Sequence, residues 1–190
     1  MKYIILLFFL SFCIQGKEEK VAIINDSITI QETNSRIKFN KIISQIATKR
    51  IPLIDDTNFD NFIERDFYDA KTRETLQLKK IYPNFDKEGY GYKTMPSYKI
   101  KISNAFHSII LTTFKGDHEM ESVLINYDLN GNIIDYRVIA YDEIAESASR
   151  TESKIEKSKL TISDIIWFDE KKEEITEYII EENGKVEKSK

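Results

Sequence analysis

The change of hydrophobic period near Pro96 is the feature that most constrains the fold. From Tyr98 to Ser103, apolar residues alternate with polar ones, a period of two that is typical of a β-strand with one face in solvent. Residues 106–114 are apolar or hydroxylated almost throughout, which is typical of a strand covered on both faces. The second half of the chain is therefore predicted to form a sheet.

Two Asn-Gly pairs indicate hairpins in that sheet. Asn130–Gly131 lies between two alternating runs, and Asn183–Gly184 follows the run at residues 175–181. Asn and Gly tolerate the positive φ of a type I′ turn, whose twist matches the strands it joins. With further runs at residues 134–140 and 160–166, these signals predict a meander of about six antiparallel strands.

Apolar residues in the first half recur at helical spacings. They predict a short helix at about residues 38–48, which Pro52 ends. A second helix is expected to begin at Thr57, whose hydroxyl can cap free backbone N–H groups. Its core-facing stripe would be Phe59, Phe62, Ile63 and Phe67.

The predicted fold class is α+β, an antiparallel sheet of about six strands in the C-terminal half with short N-terminal helices packed on it. The polar segment Asp142–Lys159 is expected to be a surface loop. Residues 37–190 are read as a single domain, because no Ser-, Gly- or Pro-rich linker divides them. Residues 17–36 are expected to form a charged tether followed by an N-terminal strand.

The N-terminus has the pattern of a signal peptide over residues 1–16. Lys2 supplies a positive charge, Tyr3–Ile14 carries none, and a polar segment begins near Gly16. A permanent anchor needs about 20 apolar residues to cross a bilayer, and this run is shorter. The protein is therefore expected to be exported.

The segment Leu10–Cys13 resembles the lipobox of bacterial lipoproteins. Its first two residues match, and Cys13 stands where the acylated cysteine is found, whereas Phe12 replaces the expected small residue. The first twenty residues thus resemble those of small exported lipoproteins, which implies lipidation at Cys13 and a lipid anchor in the cell envelope. Cleavage after Gly16, giving a periplasmic or secreted protein, is the alternative.

Charge and cysteine content narrow the range of partners and of covalent cross-links that this protein can have. The 28 basic and 32 acidic residues are interspersed and give a net charge of −4, so no basic stripe is available for a phosphate backbone and nucleic acid is not an expected partner. Cys13 is the only cysteine, which excludes an internal disulfide. Neither a cofactor motif nor a metal-binding spacing is recognised, and none is expected.

Two groups of residues are candidate sites. The first is an aromatic loop whose rings are suited to contacting an envelope protein or a glycan: Tyr82, Phe85, Tyr90, Tyr92 and Tyr98. The second is an acidic cluster suited to acid–base hydrolysis, with His107 as a candidate assisting residue: Asp142, Glu143 and Glu146. The sequence favours a non-enzymatic envelope binding domain, of which an inhibitor or immunity protein is one form, over a hydrolase.

Overall fold

Ten β-strands form one mixed sheet. The computed structural model describes residues 33–144, 148–167 and 170–189. All ten strands lie within the compact unit of residues 35–190. The predicted N-terminal strand, the signal peptide and Cys13 fall outside the described residues.

Helices precede the main strands, as the sequence predicts. None of the helices in the described part of the chain is long and apolar enough to cross a bilayer. The elements in chain order are α1 (residues 33–44), β1 (Thr48–Lys49), β2 (Leu53–Asp55), α2 (Ala70–Thr75), a 3-10 turn (Leu78–Lys80), β3 (Tyr92–Ile100), β4 (His107–Lys115), β5 (Glu119–Tyr127), β6 (Ile133–Glu143), β7 (Ala148–Ile155), β8 (Lys159–Trp167), β9 (Lys171–Ile180) and β10 (Val186–Lys188).

The strand order is β1-β3-β4-β5-β6-β7-β8-β9-β10, with β2 paired to β7. All of these pairings are antiparallel except the parallel pairing of β1 with β3. β6 and β7 pair only at Tyr141–Thr151 and Asp142–Arg150. The sheet bends at this narrow seam, so that β7–β10 pack against one face of β3–β6.

Strands β4 and β5 are buried on both faces, because their odd-numbered and even-numbered side chains enter different cores. Ile109 and Ile125 pack with α1 and the 76–85 segment, in what we call the helix-side core. Ile110 and Leu124 pack with residues of β7–β10, in what we call the inter-sheet core. The predicted doubly covered strand is therefore confirmed for β4.

The sheet is larger than predicted. It has ten strands instead of six, and it is not confined to the C-terminal half, since β1 and β2 come early in the chain. β3 begins at Tyr92, so it takes up the end of the predicted aromatic loop. β1 and β2 have two and three residues, which is too short for a period to appear in the sequence.

The helix predicted from Thr57 is absent, and residues 56–69 are irregular. A single turn forms, in which the Phe62 amide donates to the Asn58 carbonyl at 2.9 Å, and residues 62–69 do not continue it. The predicted core-facing stripe is only partly confirmed, because Ile63 is 66% exposed and Phe67 is 45% exposed. The rings of Phe59, Phe62 and Phe67 surround Phe114 with centroids 5.3–6.1 Å away.

The polar segment predicted to be a surface loop contains strand β7. Its residues pair with β8 over the whole range Ala148–Ile155, and Thr151 Oγ1 donates to Asp164 Oδ1 across the ladder at 2.7 Å. Cross-strand pairs of this kind support a polar strand whose outer face is in solvent. The polar composition of this segment therefore did not indicate the strand that it forms.

Both predicted hairpins are present, but their turns are not type I′. Gly131 and Gly184 have φ of +91° and +90°, whereas no Asn in the described residues has a positive φ. In each turn the glycine amide donates to the carbonyl three residues earlier, Asp128 or Glu181. This is a type I turn followed by a left-handed glycine, the longer hairpin alternative.

Gly131 offers a test of the close packing between the β5–β6 turn and the Phe39 ring of α1. A Cβ at Gly131 would lie 2.7 Å from the Phe39 ring, whereas one at Gly89, with nearly the same φ of +88°, would meet nothing within 4 Å. We expect Gly131→Ala to lower the free energy of unfolding by about 1–3 kcal/mol more than Gly89→Ala. Urea denaturation followed by circular dichroism measures both, and equal losses would contradict the contact with Phe39.

Candidate functional site

A carboxylate is buried on the helix-side face of β5. Glu121 is 4% exposed. Its Oε1 accepts a hydrogen bond from Tyr82 Oη at 2.6 Å, and its Oε2 accepts one from Lys115 Nζ at 2.5 Å. Because an unpaired buried charge is strongly unfavourable, these two charge-assisted bonds hold the carboxylate in place.

An open cleft of about 290 Å³ lies over this carboxylate, between the 81–84 segment and strands β3–β6. We call it the aromatic cleft. Tyr136 is 39% exposed beside it, and the Tyr92 ring packs edge-on against the Tyr82 and Tyr90 rings. Its lining is made of Ile81, Tyr82, Pro83, Asn84, Tyr92, Lys115, Glu121, Tyr136 and Val138.

The aromatic cleft combines rings with both kinds of hydrogen-bonding group. Lys115 keeps two ammonium N–H donors after binding Glu121. Asn84 adds an amide that both donates and accepts. Apolar walls with a few placed polar groups are the usual composition of a small-ligand site, so the arrangement is suited to binding a polyhydroxylated molecule.

The Tyr82 phenol is fixed in its neutral form. Burial, followed by the negative charge of Glu121, raises the pKa of Tyr82 well above its ordinary value. The phenol therefore keeps its proton at physiological pH and remains a donor to Glu121. Its role is to hold the carboxylate at the floor of the cleft.

The five predicted aromatic residues do not form one exposed surface. Tyr82, Phe85 and Tyr98 are buried, and Tyr98 Oη donates to Asp55 Oδ2 at 2.5 Å in the inter-sheet region. Tyr90 is 37% exposed, and Tyr92 is half-buried. The structure brings Tyr82, Phe85, Tyr90 and Tyr92 together in one group of packed rings and places Tyr98 elsewhere. Of this group, Tyr82 and Tyr92 line the aromatic cleft.

The predicted acidic residues point in different directions. Asp142 and Glu143 are neighbours on β6, so their side chains leave opposite faces. Asp142 Oδ2 accepts from the Phe59 amide at 2.9 Å, while Glu143 accepts from Tyr141 Oη at 2.9 Å and Ser149 Oγ at 2.8 Å. Glu146 lies outside the described residues.

His107 is remote from this acidic pair. It pairs with Tyr127 at one end of β5, whereas Asp142 pairs with Met120 near the other end. These two β5 positions are seven residues apart, or roughly 23 Å along the strand. Within residues 33–144, 148–167 and 170–189, no three His, Cys, Asp or Glu side chains are grouped to hold a metal ion.

Three residues of the aromatic cleft were not singled out from the sequence as a binding site, namely Lys115, Glu121 and Tyr136. One signal was available, since alternation places Glu121 on the same face as Val123 and Ile125. A carboxylate in a row of inward apolar residues indicates a buried charge. Its cover by Tyr82, 39 residues earlier, is a long-range contact that no local pattern carries.

Comparison with known proteins does not identify a family for this chain. No protein-family model matches the chain, and neither a curated protein nor a solved structure matches it.

Removing the Tyr82 hydroxyl tests the buried network. Tyr82→Phe takes one donor from a buried carboxylate, so we expect it to lower the free energy of unfolding by about 1–3 kcal/mol. Tyr90→Phe is the matched control, because Tyr90 is partly exposed, and should change stability by less than about 0.5 kcal/mol. Urea denaturation measures both, and equal effects would contradict the network.

The raised pKa adds a pH dependence to the same comparison. Above about pH 10 the unfolded chain releases the Tyr82 proton while the folded protein keeps it, so the free energy of unfolding falls as pH rises. Tyr82→Phe lacks this contribution and should show the shallower fall. Denaturation series from about pH 9 to about pH 11 measure how steeply the free energy of unfolding falls with pH. Identical slopes in the wild type and in Tyr82→Phe would count against the raised pKa of Tyr82.

Proposed function

We propose that this protein is a non-enzymatic binding domain of the cell envelope that takes a glycan in the aromatic cleft. One observation carries the proposal: the Tyr92 and Tyr136 rings line an open cleft whose floor holds the Lys115–Glu121 pair. A sugar ring has apolar C–H faces and a rim of hydroxyl groups. The tyrosine rings suit the faces, and the charged pair suits the rim.

The choice of a glycan over a protein partner follows from the shape and polarity of the site. Protein contacts favour broad surfaces with a dry centre, whereas this cleft is concave and has charged groups at its floor. Its volume of about 290 Å³ is close to the lower limit of roughly 300 Å³ for small-molecule sites. That volume fits one unit of a larger oligosaccharide whose neighbouring units extend into solvent past Tyr90.

The envelope location is inferred from the leader pattern of residues 1–16. A positive start, an apolar middle and a polar exit are typical of export signals. Acylation of Cys13 would add chains that each contribute about 0.8 kcal/mol per buried CH₂ to membrane binding. In this proposal the membrane is contacted only through that anchor, and the binding domain faces the glycans of the envelope.

Glycan binding is tested directly with the purified protein on an array of neutral and amino-sugar oligosaccharides, followed by calorimetry on the best ligand. Tyr136→Ala removes one ring from the cleft without disturbing a buried side chain. We expect it to weaken binding about tenfold, because aromatic anchors often contribute more than about 1 kcal/mol. Leu129→Ala is the matched control, since Leu129 is an exposed apolar residue in the β5–β6 turn, and should bind as the wild type does.

Two results would contradict this function. The first is an array without any bound oligosaccharide, and the second is full affinity in Tyr136→Ala. A hydrolase acting through Asp142 is the alternative from the sequence. It would shorten the oligosaccharides during incubation, and Asp142→Asn would abolish this turnover. We expect the oligosaccharides to remain intact.

A further inference from the structure

A second concavity, of about 460 Å³, lies where α1 crosses the ends of β3 and β4. We call it the basic groove. It is at the His107 end of β4, whereas the aromatic cleft is at the Lys115 end, so eight residues, or roughly 26 Å of strand, separate the two. The two concavities are therefore distinct sites.

Basic side chains converge on this groove. Lys99, Lys101 and His107 all line it. Lys99 pairs with Ile109 in the β3–β4 ladder, and His107 precedes Ile109 by two residues, so the Lys99 and His107 side chains leave the same face. Lys101 follows directly after the end of β3 and is exposed.

The groove has no compensating acid among its described lining residues. This is unusual in a chain with a net charge of −4. Lys99 Nζ donates to the Ile43 carbonyl at 2.7 Å, which satisfies one carbonyl at the end of α1. Lys101 takes part in none of the ion pairs found within the described part of the chain, so no described carboxylate competes with a ligand for its charge.

Neutral donors and an apolar floor complete the groove. Asn40 and Asn104 contribute amide groups at the rim, and Ile43, Phe106 and Ile109 form apolar surface below. Burial and the nearby Lys99 lower the pKa of His107, while Asp128 acts in the opposite direction. The Asp128 carboxylate is already held by the Asn130 and Asn132 amides at 2.9 Å and 2.7 Å.

We propose that the basic groove binds a small organic anion, with its carboxylate or phosphate head at Lys101, Asn104 and His107 and its apolar body on Ile43, Phe106 and Ile109. Cations and amide donors in a lining that contains no acid favour an anionic head. The apolar floor adds affinity for a hydrocarbon body. This site does not depend on glycan binding at the aromatic cleft.

The probes are decanoate, octyl phosphate, inorganic phosphate and octyl glucoside, titrated into the ¹⁵N-labelled protein and followed by NMR. Decanoate and octyl phosphate should shift the amide signals of Lys101, Asn104 and His107 in a saturable way. The ratio of their two affinities identifies the preferred head group. Inorganic phosphate has no apolar body and should bind more weakly than octyl phosphate. Octyl glucoside has a neutral head and should leave these signals unchanged.

Charge reversal at the rim supplies the matched comparison. Lys101→Glu should weaken the binding of both amphipathic anions about tenfold, whereas Lys172→Glu, at an exposed lysine of β9, should leave it unchanged. Equal binding by octyl glucoside, full affinity in Lys101→Glu, or no saturable shift with either amphipathic anion would each overturn the proposal.

Discussion

The double coverage of β4 and β5 is the constraint on which the rest of the structure depends. Their odd-numbered side chains pack under α1 and the 76–85 segment, and their even-numbered side chains pack against β7–β10. A strand in this position has no solvent face, so each polar side chain on it must find a partner within the protein. Thr112 and Ser122 satisfy this demand across the ladder at 3.2 Å.

The same constraint explains why the two concavities lie at the ends of the helix-side face. In the middle of this face, the side chains of Leu111 and Val123 are fully buried in the helix-side core. At the ends of β4, His107 and Lys115 are only partly buried. Charged groups can therefore sit beside buried apolar surface at both ends, and the partner groups differ: Lys115 meets the Glu121 carboxylate, while Lys101 and His107 meet no acid in the described lining.

Local patterns predicted the parts of the fold that local physics decides. The continuous apolar and hydroxylated run of β4 and the positions of the two Asn-Gly hairpins are properties of neighbouring residues, and both appear in the structure. The helix predicted at Thr57 stops after the single turn Asn58–Phe62, and β7 was missed because its residues are mostly polar, although it pairs with β8, the next strand along the chain. The aromatic cleft was only partly visible, since the pairing of Tyr82 with Glu121 depends on how the 78–90 segment folds over the sheet.

Native-state hydrogen exchange tests the double coverage most directly. The account predicts that the amides of Ile109–Leu111 and Val123–Ile125 exchange only through global unfolding, because both faces of these strands are buried. Amides of β9 near Ile175, whose side chain is 61% exposed, should exchange through local opening at a lower free energy. Equal protection in β4, β5 and β9, or faster exchange in β4 than in β9, would contradict the account.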